Sequence, residues 1–275
     1  MNGAVAVDAA GAGPDCARRY GPVALVTGAS SGIGAAFAQR LAARGLDLVL
    51  VARRRDRLEA LASQLAAVHG VGVTVLQADL AATDGPQQVA EATAALDIGL
   101  VVSNAGFSLK GDHAGNDPAA LTELLMVNCH APLQLTRAFI PRLRARGRGG
   151  IILTSSVEGL IGCPYSGAYS ATKALVKALG EALWAELRND GIDVLTLCPG
   201  ATATEGAARG GYDPSTVQHM DQPDAVAEQA LAGLADGPIL ISSDHYRRLF
   251  EQLTTMPRRD ALAAMAKGMR TSRGA

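Results

Sequence analysis

The chain has 275 residues, of which 48% are hydrophobic, 19% charged and 4% aromatic, and its formal net charge is -1. This is a globular composition with a core built from Ala, Val, Leu and Ile. The charge balance excludes nucleic acid as the main partner, because phosphate binding needs a basic excess.

Residues 1–19 are rich in Ala and Gly and lack a basic start followed by a long apolar run, so they read as a loose N-terminal tail and not as a signal peptide. The first predicted strand is Val23–Val26. A glycine-rich turn follows, then a helix over Ala35–Arg44 that stops at Gly45. Leu48–Val51 is the second strand, Arg55–Val68 a helix, Val73–Leu76 the third strand and Pro86–Ala95 a helix. Ile98–Val102 is the fourth strand, and one long helix is predicted over Leu121–Arg144. The fifth strand (Gly150–Thr154), a helix (Tyr169–Asn189), the sixth strand (Asp193–Leu197), a helix (Pro223–Ala235) and a short seventh strand (Ile239–Ile241) complete the pattern. The stretch from Tyr246 to Ala275 is helical in part and departs from the alternation.

The strands are unbroken apolar runs, as in parallel strands buried on both faces. Strand and helix alternate and no Pro/Gly-rich linker interrupts them. The expected fold is therefore a single α/β domain over residues 20–275, a doubly wound (Rossmann-type) parallel β-sheet flanked by helices. No apolar run reaches the ~18 residues of a membrane span, so no membrane partner is expected. The four cysteines (Cys16, Cys129, Cys163, Cys198) show no CxxC or Cys/His spacing. They read as reduced thiols of a cytoplasmic protein with no metal site.

The turn after the first strand is Thr27-Gly28-Ala29-Ser30-Ser31-Gly32-Ile33-Gly34. Glycines there let the backbone approach a pyrophosphate, and the following helix offers its N-terminal N–H groups to the anion. No Lys-Ser/Thr follows, so the turn is not a P-loop. The second strand ends Val51-Ala52-Arg53-Arg54-Arg55, with no carboxylate for an NAD ribose. Arginines there suit a 2′-phosphate. Arg53 is the foremost candidate and Arg54 the second, although a solvated basic helix start is the plainer reading of Arg54, Arg55 and Arg57. The cofactor expected is NADP(H).

Tyr169 and Lys173 stand four apart at a helix start, on one face. An ammonium beside a phenol favours the phenolate and tunes it toward acid–base work. Further motifs occur in order: Asp79-Leu80, Asn104-Ala105-Gly106, Asn128, Ser156 thirteen residues before Tyr169, and Pro199-Gly200 with Thr204. Over residues 22 to about 242 the chain resembles the single-domain branch of the short-chain dehydrogenase/reductase family. The resemblance implies that Tyr169 is the acid/base, that Ser156 bonds the substrate oxygen and that Lys173 binds the nicotinamide ribose. It implies that Asn128 holds a water linking Lys173 to solvent. It places Asp79 with Leu80 at the adenine, Asn104, Ala105 and Gly106 at the adenine ribose, and Thr202 with Thr204 at the carboxamide and pyrophosphate. Taken singly, Asn128 reads as a satisfied helix amide, Asp79 as a strand-end cap and Pro199-Gly200 as a turn.

The substrate is expected at the carboxyl ends of the strands. Phe107-Ser108-Leu109, Val157–Ala168 and Ala201–Met220 should contribute, and residues 201–220, with Gly206, Gly210 and Gly211, read as a lid or else as an ordinary surface loop. Glu158 either orients a polar or cationic substrate or, as the preferred reading, faces solvent. Tyr165 and Tyr212 are candidate walls, and Cys163 and His113 read as structural. The function expected is NADPH-dependent hydride transfer between nicotinamide and a carbonyl or alcohol substrate. A non-catalytic NADP-binding regulator is the alternative, and the glycine spacing disfavours an epimerase or dehydratase of the longer-chain branch. Family analogy implies a homodimer or homotetramer through Leu121–Arg144 and Tyr169–Asn189.

Overall fold

The computed structural model describes residues 13–206 and 219–271. Seven strands, β1 (Val23–Thr27), β2 (Asp47–Ala52), β3 (Val73–Gln77), β4 (Ile98–Ser103), β5 (Gly149–Thr154), β6 (Ile192–Leu197) and β7 (Ile239–Leu240), form one sheet in the order β3-β2-β1-β4-β5-β6-β7. Every pairing is parallel. The helices are α1 (Gly13–Tyr20), α2 (Gly32–Ala42), α3 (Arg55–His69), α4 (Gly85–Ala92), α5 (Pro118–Leu125), α6 (Ala131–Arg146), α7 (Gly167–Leu187), α8 (Pro223–Ala232), α9 (Asp244–Thr255) and α10 (Arg258–Thr271).

Alternation of side chains explains the two covered faces. In β2, Leu48 and Leu50 join Phe37 and Leu41 of α2, Leu58 of α3 and Val226 of α8. Val49 and Val51 point the other way, toward Val89 of α4 and Leu135 and Phe139 of α6. Farther along that face, Val176, Leu183 and Leu187 of α7 pack on Ile151 and Val194. The strand order reverses between β1 and β4, which opens a crevice at the carboxyl ends of the strands.

Two expectations are corrected. Residues Gly13–Arg19 are not part of a loose tail but belong to α1. Its last turn is clamped at the start of β6, where the Tyr20 hydroxyl donates to Asp193 Oδ2 at 2.6 Å and the Arg19 guanidinium to Asp193 Oδ1 at 2.7 Å. The single long helix predicted over Leu121–Arg144 is instead α5, a wide π turn over Met126–His130, and α6. An inserted π turn leaves apolar periodicity on both sides intact, so the pattern hides it. The start moves forward to Pro118 because Asp117 caps it, accepting from Ala120 N–H at 3.1 Å.

After β7, helices α9 and α10 return over the carboxyl ends of the strands. Phe250 and Leu253 of α9 and Ala261 of α10 are buried against Val157, Ile161 and Cys163.

Candidate active site

A cavity of about 550 Å³ lies in the crevice. One end is the glycine turn with Asn104–Gly106, the middle holds Ser156, Tyr169 and Lys173, and the far end is closed by α9 and α10.

At the first end Gly28 has φ +68°, and a side chain there would bring its Cβ to 2.9 Å from Ala105 Cα. The turn therefore packs directly on the Asn104-Ala105 backbone. Gly28, Ser31, Gly32 and Ile33 line the cavity, so the first turn of α2 opens onto it with no cap from the Ser31 side chain. Backbone N–H groups of a first helical turn lack intrahelical partners and suit an anion. Thr27 is fully buried beneath this surface. Its Oγ1 accepts from Asn104 N–H at 2.9 Å and from Ala105 N–H at 3.0 Å, tying the end of β1 to that of β4. Gly34 lets α2 come close, since a Cβ there would stand 2.7 Å from Asn104 Nδ2.

The two leading arginines separate. Arg54 reaches back onto the glycine turn and donates to Ser30 Oγ at 2.9 Å, Ser31 Oγ at 2.8 Å and Glu205 Oε2 at 2.8 Å. Arg57 meets the same carboxylate, and the two cations hold Glu205 down to about 2. Arg53 instead pairs with Glu123 of α5 at 2.8 Å. Asp79 is exposed and accepts from Ala81 N–H at 3.0 Å, while Leu80 is buried in the sheet core. Neither lines the cavity.

At the middle, Ser156 Oγ accepts from Glu158 N–H at 3.2 Å and donates to Pro199 O at 3.5 Å. Ser155 points the other way, and its Oγ donates to Lys173 O at 2.6 Å. Lys173 Nζ donates to Thr154 O at 2.8 Å and lies 5.7 Å from the Tyr169 ring centroid. Asn128 sits in the π turn and grips Phe107, accepting from its N–H at 3.1 Å and donating to its carbonyl at 2.9 Å. Gly106 lets two polar groups approach the backbone closely, since a Cβ there would be 3.1 Å from both Asn128 Oδ1 and Lys173 Nζ.

The electrostatics depart from expectation. Burial raises the Tyr169 pKa above the ordinary phenol value, and the Glu158 charge adds to the rise, while the hydrogen bond with Ser156 opposes it. Lys173 does not offset this, and burial pushes its own pKa down to about 8. Both effects are desolvation of a charged form.

Glu158 does not face solvent. It is 7% exposed, lines the cavity, and pairs through Oε1 with Lys110 Nζ at 2.5 Å. Lys110 also donates to Ser166 Oγ at 2.8 Å and stands 5.2 Å from the Tyr169 ring centroid. Phe107 and Ser108 line the cavity as expected. Tyr165 does not. It has φ +58° and lines a separate cavity of about 260 Å³ beside Gly111 and His113, because its carbonyl is drawn toward Gly111 N–H at 2.8 Å. Tyr212, Gly210 and Gly211 lie outside the described residues, as does most of the expected lid. Pro199, Gly200, Thr202 and Thr204 all line the cavity. Sequence reasoning missed Lys110, one residue past the stretch assigned to the substrate. It also missed the wall formed by Tyr246, Leu249, Phe250, Leu253 and Met265. The amphipathic spacing of α9 was the available signal.

The glycine turn and the cavity beside it fit a nicotinamide dinucleotide. The short chain dehydrogenase family model matches residues 22–212. A 7beta-hydroxysteroid dehydrogenase of Clostridium sardiniense is 30% identical over 250 residues, covering 90% of this chain and 96% of that one. The solved short-chain dehydrogenase from Sphingobium yanoikuyae in complex with NADPH is 36% identical with a TM-score of 0.78, covering 91% of this chain and 95% of that one. The bulky-bulky ketone specific alcohol dehydrogenase from Comamonas testosteroni is 33% identical with a TM-score of 0.76, covering 88% and 94%. The chain belongs to the short-chain dehydrogenase/reductase family of oxidoreductases, which act on a hydroxyl/carbonyl pair.

Proposed function

We propose that this protein is an NADPH-dependent reductase of bulky ketones, reversible as an alcohol dehydrogenase, with Tyr169 as acid/base. The observation that carries the reading is the convergence of Ser156, Tyr169 and Lys173 at the middle of one cavity. Its two ends are an arginine-braced glycine turn and an apolar wall. Arg54 is favoured over Arg53 for a 2′-phosphate, a choice supported by its guanidinium lying on Ser30 and Ser31 while Arg53 pairs with Glu123. The NADPH bound by the Sphingobium relative supports the cofactor choice.

When bound, the dinucleotide supplies the hydride. The remaining chemistry belongs to the chain. Ser156 Oγ donates to the carbonyl oxygen, and Tyr169 Oη transfers its proton to that oxygen as negative charge develops. Such preorganised donors in a dry site are worth about 3 kcal/mol each in the transition state. Ser156 is buried and Tyr169 half-buried, which limits competition from water. Lys173 Nζ and Asn128 Oδ1, both close beside Gly106, are the polar groups proposed to pass on the proton that replaces the one Tyr169 gives up. In the oxidative direction the Tyr169 phenolate takes the alcohol proton, and because burial raises the phenol pKa this direction is favoured only as pH rises.

Leu249, Phe250, Leu253 and Met265 fit a bulky apolar body, in keeping with the substrates named for the Clostridium and Comamonas relatives. The exposed Leu125, Leu133 and Leu175 on α5, α6 and α7 support self-association through those helices. The test is a panel of small and bulky ketones, aldehydes and acyl thioesters, scored by NADPH and by NADH oxidation. Turnover of bulky ketones with NADPH is expected. Dinucleotide binding with no turnover of any carbonyl would instead establish a regulator.

A further inference from the structure

We propose that Glu158 and Lys110 form a polar subsite that selects ketones carrying a hydroxyl group near the carbonyl. This rests on the carbonyl-reductase reading above. The pair is buried in the wall of the substrate cavity, with side chains 9% and 8% exposed. Glu158 Oε1 is taken by Lys110 Nζ, while Oε2 is buried and has no hydrogen-bond partner among the described residues. A carboxylate oxygen held dry in a cavity wall is costly unless something donates to it. Val157, Cys163, Phe250 and Leu253 give this end of the cavity an apolar surface, with Ser108 and Tyr246 also in its lining.

The position of the pair sets where the donor must be. Glu158 N–H donates to Ser156 Oγ, and Lys110 Nζ stands 5.2 Å from the Tyr169 ring centroid. The Glu158–Lys110 pair is therefore next to the two groups that grip the carbonyl oxygen. The chemistry of the donor follows from the charge. Lys110 already neutralises the carboxylate, so an ammonium on the substrate meets a cation as well as an anion. A neutral hydroxyl fills the acceptor with no such penalty. The substrate class is thus a hydroxyketone with a bulky apolar body, and in reverse the corresponding diol.

The experiment compares kcat/KM for a bulky hydroxyketone and its deoxy analogue in the wild type, Glu158→Gln and Lys110→Met. The wild type is expected to favour the hydroxyketone by about 10- to 100-fold, the range of one hydrogen bond to a charged acceptor. Glu158→Gln should bring that ratio close to one. The Glu158 charge also acts on the Tyr169 phenol, so absolute rates on both substrates shift together and only the ratio isolates the subsite. In Lys110→Met the carboxylate loses its cation, and an aminoketone should gain on the hydroxyketone. A pair that merely braces the loop would lower both substrates equally, and a preserved ratio in both variants overturns the subsite. Failure of the wild type to reduce either ketone counts against the reductase reading itself.

Discussion

Thr27 gives the sharpest test of how the cofactor end is built. Thr27→Val keeps the shape of the side chain but deletes the Oγ1 that accepts from Asn104 N–H and Ala105 N–H. Asn104 N–H retains Val102 O at 3.1 Å, so one backbone donor, that of Ala105, loses its partner. An orphaned donor costs about 1–3 kcal/mol. In a domain of comparable size each kcal/mol moves Tm by about 2–4 °C. Ala105 is only partly buried, so water recovers some of the loss and the expected fall is about 2–6 °C. Differential scanning calorimetry checks it, with Thr27→Ser as the control that keeps the hydroxyl. Because Gly28 rests on Ala105, dinucleotide affinity should fall alongside Tm. A Thr27→Val protein that melts with the wild type and binds the dinucleotide equally well would refute the strut.

Tyr169→Phe should lose about 10²–10⁴ in hydride-transfer rate while still binding NADPH, measured by single-turnover absorbance and by fluorescence titration; retained activity would remove Tyr169 from the acid/base role. Arg54→Ala should raise the NADPH Kd by about 10-fold or more and the NADH Kd far less, with Arg53→Ala the weaker lesion; equal losses for both dinucleotides would mean that neither arginine reads the phosphate. Lys173 is held down to about 8 from an ordinary 10.5, so in the window between them the unfolded chain binds the extra proton. Its penalty on folding is then full below about pH 8 and fades as pH rises through the window, so the Tm of the wild type should gain on that of Lys173→Met there. A difference flat with pH would contradict the burial of that ammonium.

The sheet was legible because each strand is an apolar run too short to be a helix and is bounded by turn residues. All seven strands stand within a residue or two of their expected places. That the glycine turn, Ser156, Tyr169 and Lys173 meet at one cavity was legible because their spacing sets them at strand ends and at the start of one helix. What failed to show was orientation. Nothing in Arg53-Arg54-Arg55 says which guanidinium turns back to the serines, since that depends on the extended backbone of Arg54 at the start of α3. Glu158 reads as a surface residue until Lys110, 48 positions earlier, is brought against it. The lowered Lys173 pKa reflects desolvation by the folded interior, which pair spacing along a helix does not report.

Helices α9 and α10 follow β7, so the wall proposed for the substrate's body comes from a stretch separate from the elements that carry Ser156, Tyr169 and Lys173. The Tyr246 ring lies against Gly200, where a Cβ would collide with it, and this contact keys the two parts together. Exchanging these two helices between relatives should therefore transplant preference for one ketone body over another without disturbing the chemistry. Such hybrids need to preserve an aromatic ring seated on a bare glycine.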